Sequence, residues 1–170
     1  MDSLLKVSII VPTLNEAQGL NETLTQIQQL FPYELVVSDG GSRDGTLEIA
    51  EEFTEYVVKG STGRALQMNA GARVATGDIF LFLHADSHIE LASYEKMLHY
   101  LRSSEKNGGA FSLCIDSDKW SLRLITQLAN LRSKYFGMAY GDQAFFVKNS
   151  TFQQMNGFTE LPICEDIDFF

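Results

Sequence analysis

The 170-residue sequence has few cysteines and few basic residues, and each shortage excludes a class of protein. Cys114 and Cys164 are its only cysteines and show no paired spacing, so we predict two thiols in a reducing compartment rather than a disulfide framework or a zinc site. With 13 Lys and Arg against 22 Asp and Glu residues, the formal net charge is -9, and no basic face is available for nucleic acid. An acidic protein can still bind a phosphorylated ligand if a divalent cation bridges the two.

The sequence also lacks long apolar runs, repeats and linkers. No stretch approaches the roughly 18 apolar residues of a membrane span, and the N-terminus is not typical of a signal peptide, so we expect a cytoplasmic protein without a transmembrane segment. Peripheral contact with a membrane is compatible with this expectation. We predict one domain over residues 1–170, with a regular first half over about 1–90 and a less regular second half over about 91–170. Asp166–Phe170 has the pattern of an element that begins and is not continued, so we expect a truncated chain.

Short apolar runs alternate with amphipathic segments in the first half of the chain. The runs predict strands, because β-rich residues follow one another in them, and the amphipathic segments predict helices, because apolar residues recur at helical spacing. Apolar strands separated by helices indicate a parallel sheet that is buried on both faces, hence an α/β fold. The predicted strands are Lys6–Val11, Glu34–Ser38, Tyr56–Lys59 and Ile79–Leu83, and the predicted helices are Ala17–Leu30, Thr46–Phe53 and one around Ala65–Ala72.

The second half departs from this regular alternation. An apolar stripe from Tyr94 to Leu101 predicts a helix. The remaining predictions are a strand over Gly109–Ile115, a long helix over Lys119–Tyr135, a strand over Gln143–Lys148 and a short helix over Ser150–Asn156 that Gly157 ends.

Four polar loops follow predicted strands or precede apolar stretches, and ligands collect beyond the carboxyl ends of parallel strands. They are Thr13–Glu16, Ser38–Thr46, His84–Asp86 and Cys164–Asp166, with Asp168 close to the last one. Each loop also has a plain structural interpretation as a helix cap or a turn. No Gly-x-Gly-x-x-Gly and no Walker A sequence is present, which removes the main support for dinucleotide or P-loop binding.

The residue types in these loops suggest specific chemistry. Asp39 at a strand end can accept a hydrogen bond from the imide N–H of a uracil, and the glycines after it allow the backbone to approach a ligand. Asp86 can hold Mg²⁺ or Mn²⁺ against a diphosphate, whereas His84 is better explained by a non-ligand role. A carboxylate of the pair Glu165 and Asp166 can take the proton from an acceptor hydroxyl as it attacks a sugar carbon.

Taken together, these motifs resemble the family-2 glycosyltransferases, which have the A-type glycosyltransferase fold. The matching segments are Val7–Glu16, Asp39–Thr46, Gly63–Gly71 with Ala75–Asp78, His84–Asp86 in place of Asp-x-Asp, and Glu165 with Asp166 in place of the acidic pair. The resemblance implies a three-layer sandwich with a mostly parallel central sheet. It also implies an inverting transferase of the hexosyltransferase class that uses Mn²⁺ or Mg²⁺.

The resemblance also implies roles for individual residues. Asp166, beside Glu165, would be the general base, and Asp86 would hold the cation. The nucleotide-binding residues would be Pro12, Thr13, Asn15, Glu16, Asp39, Gly41, Arg64 and Ala85, with Asp39 on the base and Arg64 near the diphosphate. Asp142 and Gln143 would lie on the acceptor side, although a turn and a strand start explain them equally well. The nucleotide-binding half would cover about residues 1–90 and the acceptor-side half about residues 91–170. The partners would be a nucleotide-sugar donor, with a UDP-sugar favoured, and a glycan, lipid or small-molecule acceptor.

Three departures from the family pattern keep alternatives open. Gly40 stands where a second aspartate is common, His84 replaces the first acid of Asp-x-Asp, and no Gln-x-x-Arg-Trp motif is present. His84–Asp86 with Tyr140–Gln143 resembles a bacterial subgroup. The alternatives are a non-catalytic or truncated nucleotide-sugar-binding protein and a sugar nucleotidyltransferase, although Thr13–Glu16 lacks the basic glycine-rich loop that the latter needs to grip a triphosphate.

Overall fold

The structure is a computed structural model that describes residues 4–112 and 144–159. In chain order its elements are β1 (Val7–Thr13), α1 (Ala17–Gln28), β2 (Glu34–Asp39), α2 (Thr46–Phe53), β3 (Val57–Lys59), α3 (Arg64–Val74), β4 (Ile79–Phe82), α4 (Leu91–Ser103), β5 (Gly108–Ala110), β6 (Phe145–Lys148) and α5 (Asn149–Gln154). The predicted alternation of strands and helices over the first half is therefore confirmed.

Within the described residues the strands form one six-stranded sheet in the order β3-β2-β1-β4-β6-β5. The pairs β1–β2, β1–β4 and β2–β3 are parallel, whereas β6 pairs antiparallel with both β4 and β5. Every residue of β1, β2 and β4 is buried, as the unbroken apolar runs predict for strands covered on both faces. The fold class, a mixed α/β fold with a mostly parallel central sheet, is confirmed.

Helices cover both faces of this sheet and make the predicted three layers. On one face, Ile9 and Val11 of β1 pack in one apolar cluster with residues of α1, α2 and α4. On the other face, Ile10 packs with residues of α3 and α5 in a second cluster. Alternate residues of one strand therefore serve two cores, because successive strand side chains point to opposite faces.

Several predicted boundaries differ from the structure; strand β1, for example, continues through Pro12 to Thr13 instead of ending at Val11. Helix α1 ends at Gln28 rather than Leu30, since Phe31 takes a positive φ of 51° and Pro32 follows it. Strand β5 covers only Gly108–Ala110, and the part of the predicted strand beyond residue 112 lies outside the described residues. The helix predicted over Lys119–Tyr135 lies outside them altogether.

Candidate functional site

The carboxyl ends of β1 and β2 meet at one edge of the sheet, where Thr13 pairs in register with Asp39. The Asp39 side chain is 1% exposed, and its two oxygens accept four hydrogen bonds. Oδ1 accepts from the backbone amides of Gly41 and Ser42 at 2.8 Å each, while Oδ2 accepts from the Thr13 hydroxyl at 3.1 Å and from the Ser42 hydroxyl. The turn needs glycine at position 41, whose φ is 101°.

These hydrogen bonds decide the charge of the Asp39 carboxyl. Burial alone would raise its pKa, because a charged group is less stable away from water. The hydroxyl and amide of Ser42, followed by the Gly41 amide and the Thr13 hydroxyl, stabilise the carboxylate and lower the pKa overall below its ordinary value of 3.8. Asp39 is therefore a fixed negative charge at this strand end.

A second set of bonds joins the loop after β1 to the loop after β2. The amide of Asn15 donates to the Ser42 hydroxyl at 2.8 Å, and the Asn15 side-chain oxygen accepts from the Arg43 amide at 3.0 Å. Asn15 takes a positive φ of 56°, which asparagine tolerates better than most residues. The two loops thus form one continuous surface above the sheet.

The start of α1 is capped by side chains from the neighbouring loop. The Ala17 amide donates to Asp44 Oδ2 at 3.1 Å, and the Glu16 amide donates to the Thr46 hydroxyl at 2.8 Å. Thr46 in turn donates to Asp44 Oδ1 through both its amide and its hydroxyl. Amides at a helix start lack intrahelical partners, and this arrangement gives an acceptor to those of Glu16 and Ala17. It thereby fixes the backbone of Glu16 at the carboxyl edge of the sheet.

The loop after β4 brings the His-Ala-Asp sequence to the same edge. The Leu83 amide donates to the carbonyl of Ile10, which continues the pairing with β1, and the Thr23 hydroxyl of α1 donates to the Ala85 carbonyl at 2.6 Å. Ala85 is buried, whereas Asp86 is exposed. These two hydrogen bonds therefore fix the backbone of this loop, while the Asp86 side chain is exposed to solvent.

Acids from three loops converge at this edge. The Glu16 carboxyl has its pKa raised above the ordinary value of 4.5, first by burial and then by the negative charges of Asp86 and Asp44. Like charges raise a carboxyl pKa only when they are close, so the loops after β1, β2 and β4 share one electrostatic field. A divalent cation would relieve this repulsion.

The donor set fits a cation that is shared with a ligand. In the described ranges 4–112 and 144–159, no three His, Cys, Asp or Glu side chains lie close enough together to hold a metal ion by themselves. Mg²⁺ is often bound through one or two carboxylates together with substrate phosphates, and the exposed Asp86 near Glu16 offers that number. The chemistry of the residues is thus compatible with a cation held jointly with a diphosphate.

The structure brings most of the predicted site residues to this edge. Pro12 and Thr13 are buried at the end of β1, Gly41 is exposed in the turn after β2, and Arg64 is an exposed first residue of α3. The acceptor-side residues Asp142 and Gln143 and the acidic pair Glu165 and Asp166 lie outside the described residues.

The sequence analysis did not identify several buried polar side chains that join helices to distant segments of the chain. Thr23 and Asn69 are buried polar side chains within helices. Thr23 pins the Ala85 carbonyl, and the Asn69 side-chain amide both donates to the Phe158 carbonyl and accepts from the Phe158 amide, at 2.9 Å each. The available signal is a polar residue next to the apolar stripe of a helix, such as Thr23 beside Leu24.

The fold and this edge define a class of α/β protein that binds ligands beyond the carboxyl ends of its strands. The chain belongs to glycosyl transferase family 2, since the model of that family matches residues 8–156. A PGL/p-HBAD biosynthesis glycosyltransferase from Mycobacterium tuberculosis is 41% identical over 91 residues, which cover 48% of this chain and 36% of the relative. The chain spans about a third of the length of the curated relatives it matches.

Solved structures share the fold. The mannosyltransferase PcManGT from Pyrobaculum calidifontis, in complex with GDP-Man and Mn²⁺, has a TM-score of 0.77 at 24% identity and covers 97% of this chain and 50% of that chain. Glucosyl-3-phosphoglycerate synthase from Mycobacterium tuberculosis, in complex with Mn²⁺, UDP and glucosyl-3-phosphoglycerate, has a TM-score of 0.64 at 18% identity over 86% and 57% of the two chains. The predicted A-type glycosyltransferase fold is confirmed. Over residues 4–112 and 144–159, none of the helices has the length and hydropathy that crossing a membrane requires.

Proposed function

We propose that the chain is the nucleotide-sugar-binding part of an inverting glycosyltransferase that moves a sugar to an acceptor hydroxyl with the help of a divalent cation. The observation that carries the proposal is the convergence of Glu16, Asp44 and Asp86 at the edge where Asp39 ends β2. A nucleoside diphosphate needs both a surface for its base and a cation for its phosphates, and this edge supplies residues for each.

The nucleoside would lie on the joined loops after β1 and β2. Pro12, Thr13, Asn15 and Glu16 form one side of this surface, and Asp39 with Gly41 forms the other. A base imide N–H would have to share an Asp39 oxygen with a present donor. The Ser42 hydroxyl is the donor most easily displaced, because a hydroxyl rotates whereas the backbone amides of Gly41 and Ser42 are fixed.

The diphosphate would lie between Asp86 and Arg64, over the buried Ala85. Mn²⁺ or Mg²⁺ held there by Asp86 would supply positive charge to the departing diphosphate. Arg64 would add a second positive charge from the start of α3, where the helix N-terminus also favours anions. Positive charge fixed in advance at this point favours the transition state of transfer.

The proton of the acceptor hydroxyl would pass to Asp166, with Glu165 beside it, while the hydroxyl displaces the diphosphate from the opposite face of the sugar carbon. Asp142 and Gln143 would contact the acceptor, which we expect to be a glycan, a lipid or a small molecule rather than nucleic acid. We keep a cytoplasmic location, with peripheral membrane contact for a lipid acceptor, as part of this proposal.

Asp39 and the resemblance favour a UDP-sugar as the donor. PcManGT is described with GDP-Man and the synthase with UDP, so the test includes both nucleotides. The chain is incubated with UDP-, GDP- and TDP-sugars and Mn²⁺, and release of the nucleoside diphosphate is measured with and without simple acceptors. We expect release from one nucleotide class, loss of release on chelation, and an inverted anomeric centre in any transfer product.

The matched variants are Asp86→Ala and Asp78→Ala. Asp86 follows β4 at the carboxyl edge, whereas Asp78 precedes β4 at the opposite edge and accepts a hydrogen bond from the Lys6 amide. We expect release to fall by about a hundredfold or more in Asp86→Ala and to persist in Asp78→Ala. Equal activity in the two variants would remove the cation site from the proposal.

One observation favours a second function, a protein that binds nucleotide sugars without transferring them. His84 stands where the first metal-binding acid is common, and no group of three metal-binding side chains is found among the described residues. Nucleotide binding without release of the diphosphate from any donor, in the presence of Mn²⁺, would favour this function over transfer.

A further inference from the structure

We propose that Gln67 is a positioning residue of the nucleotide site and that it acts through Gly40. This inference rests on the proposed function, because its consequence is measured as nucleotide affinity. Gln67 lies on α3, three residues after Arg64, and its side chain is 5% exposed. Residues three apart lie on the same side of a helix, so one turn of α3 carries both the phosphate-side Arg64 and the buried Gln67.

The Gln67 amide joins the carboxyl ends of two strands. Its Nε2 donates to the carbonyl of Thr13 at 2.6 Å and to the carbonyl of Ser38 at 3.2 Å, and its Oε1 accepts from the Gly63 amide at 3.4 Å. The two carbonyls belong to the last residue of β1 and to the residue before Asp39. The Thr13 carbonyl also accepts from the Gly40 amide, so Gln67 fills a second acceptor position there and fixes the two strand ends relative to each other.

Gly40 leaves the space that Gln67 occupies. A Cβ at position 40 would lie 3.0 Å from both Cδ and Nε2 of Gln67, which is tighter than ordinary contact. The Gly40 peptide cannot readily move away, since its amide donates to the Thr13 carbonyl at 2.9 Å and its carbonyl accepts from the Thr62 hydroxyl at 2.7 Å. A side chain at position 40 and a glutamine at position 67 therefore compete for one space.

The consequence for the site follows from the position of Asp39 between these contacts. Its two chain neighbours both contact Gln67. The Ser38 carbonyl accepts a hydrogen bond from Gln67, and the Gln67 side chain packs beside the Cα of Gly40. Gln67 thereby fixes the direction in which the Asp39 carboxylate points. It also holds the start of α3 at a constant position relative to Asp39. Displacing Gln67 would misalign the base side and the phosphate side of the site together.

The packing part of the proposal is tested by a double-mutant cycle on thermal unfolding. The variants are Gly40→Ala, Gln67→Ala and the double variant. Each single substitution should lower Tm by several degrees. The double variant should lose clearly less Tm than the sum of the two single losses, because alanine at 67 leaves room for alanine at 40. Losses that simply add would overturn the proposed competition.

The positioning part is tested with Gln67→Met, which keeps an unbranched side chain of similar length and removes the amide. The probes are UDP and GDP, each with Mn²⁺, titrated at a temperature where every variant is fully folded. Gln67→Met should lower the nucleotide affinity by roughly tenfold, and it should raise the KM for the donor more than it changes kcat. The matched control is Asn69→Ala, a buried amide on the same helix that bonds with Phe158 instead; it should lower Tm but keep the nucleotide affinity.

The outcomes separate the two proposals. Nucleotide binding by the unaltered chain together with equal affinity in Gln67→Met overturns the role of Gln67 and leaves the proposed function in place. The same tenfold loss in Asn69→Ala also overturns it, because the effect would then be general loosening of α3. Absence of nucleotide binding by the unaltered chain overturns the proposed function and, with it, the positioning role.

Discussion

Strand β2 begins and ends with a buried carboxylate, and the two ends of this one strand behave differently. Glu34, at the amino end, is 8% exposed, and Asp39, at the carboxyl end, is 1% exposed. Oε1 of Glu34 accepts from the Ser8 hydroxyl and from the amides of Thr76 and Gly77. Both acids are thus satisfied by hydrogen bonds, so burial and hydrogen bonding alone do not distinguish a binding site from a structural tie.

The surroundings of the two acids make the difference. Near Glu34 the backbone is packed closely, and a Cβ on Gly77 would lie 2.4 Å from the Ser8 hydroxyl oxygen. Near Asp39 the backbone is open at Gly41, where a Cβ would meet nothing within 4 Å, although Gly40 packs against Gln67. At the same edge of the sheet, the charges of Asp86 and Asp44 act on the Glu16 carboxyl. The carboxyl edge therefore combines open backbone with convergent charge, which the amino edge does not.

Cavity volume by itself does not identify the candidate site. A cavity of about 570 Å³ lies beside Glu34, lined by Phe31, Tyr33 and Tyr56 among others. It offers aromatic surface next to a carboxylate that already accepts several bonds, and the acids that converge on Glu16 are at the opposite end of the strands. Chemistry at the strand ends, rather than cavity volume, identifies the candidate site.

The largest expected effect is on the structural end of β2. Glu34→Leu leaves the Thr76 amide and the Ser8 hydroxyl without their carboxylate acceptor, while the Gly77 amide keeps the Ser8 hydroxyl, so the free energy of unfolding should fall by about 3 kcal/mol. Glu34→Gln keeps Oε1 as an acceptor, and its cost should be about 1 kcal/mol. Chemical denaturation measures both. Glu34→Gln should keep the nucleotide affinity of the unaltered chain. A tenfold loss of affinity would show that the two ends of β2 do not differ in their role in binding.

The corresponding change at the other end is Asp39→Asn. The amide keeps one oxygen for the Gly41 and Ser42 amides, and the hydroxyls of Thr13 and Ser42 can turn to accept, so the loss of stability should be only about 1.5 kcal/mol. Loss of the charge should nevertheless lower the affinity for UDP or GDP by roughly tenfold, as measured by calorimetry. Unchanged affinity would make Asp39 a structural tie like Glu34.

The pH dependence of this difference follows from the lowered pKa of Asp39. A carboxyl that is more acidic in the folded chain contributes stability above its unfolded pKa and loses it as the pH falls through the folded value. The stability difference between the unaltered chain and Asp39→Asn should therefore be full above pH 3.8 and should shrink at lower pH. Denaturation at several pH values measures it, and a difference that grows on acidification would contradict the assignment.

The smallest expected effect concerns Glu16, whose pKa is raised by burial and by the charges of Asp86 and Asp44. A raised carboxyl pKa costs stability once the pH rises through the folded value. Glu16→Gln should therefore stabilise the chain at pH 7 by about 0.3 kcal/mol after solvent screening, and the gain should vanish below pH 4.5. A gain that persists below pH 4.5 would show that repulsion between carboxylates is not its cause.

The sequence predicts the layers of this fold because periodicity reports burial. Leu20, Leu24 and Ile27 recur at helical spacing and are all buried in α1, and the unbroken run Ile79–Phe82 is the buried strand β4. The positions of Asp39 and Asp86 at strand ends follow from the same reasoning, since parallel strands end at one edge. The roles of these acids in binding stay predictions.

The side-chain hydrogen bonds between distant segments were not predictable in the same way. Gln67 bonds with the backbone of Thr13, 54 residues away, Thr23 with Ala85, 62 residues away, and Asn69 with Phe158, 89 residues away. A bond from a side chain to a distant carbonyl leaves no periodic mark in the sequence, and any polar side chain of the right length can make it. Only the packed structure reveals such contacts.

The most direct test of the central claim is a calorimetric titration with UDP and GDP, with and without Mn²⁺, of the unaltered chain and of Asp86→Ala. We expect one nucleotide to bind, and we expect its affinity to fall by at least tenfold when either the cation or the Asp86 carboxylate is removed. Binding that is equally tight without Mn²⁺ and in Asp86→Ala, or absence of binding by either nucleotide under every condition, would contradict a cation-assisted nucleotide site at the carboxyl edge of the sheet.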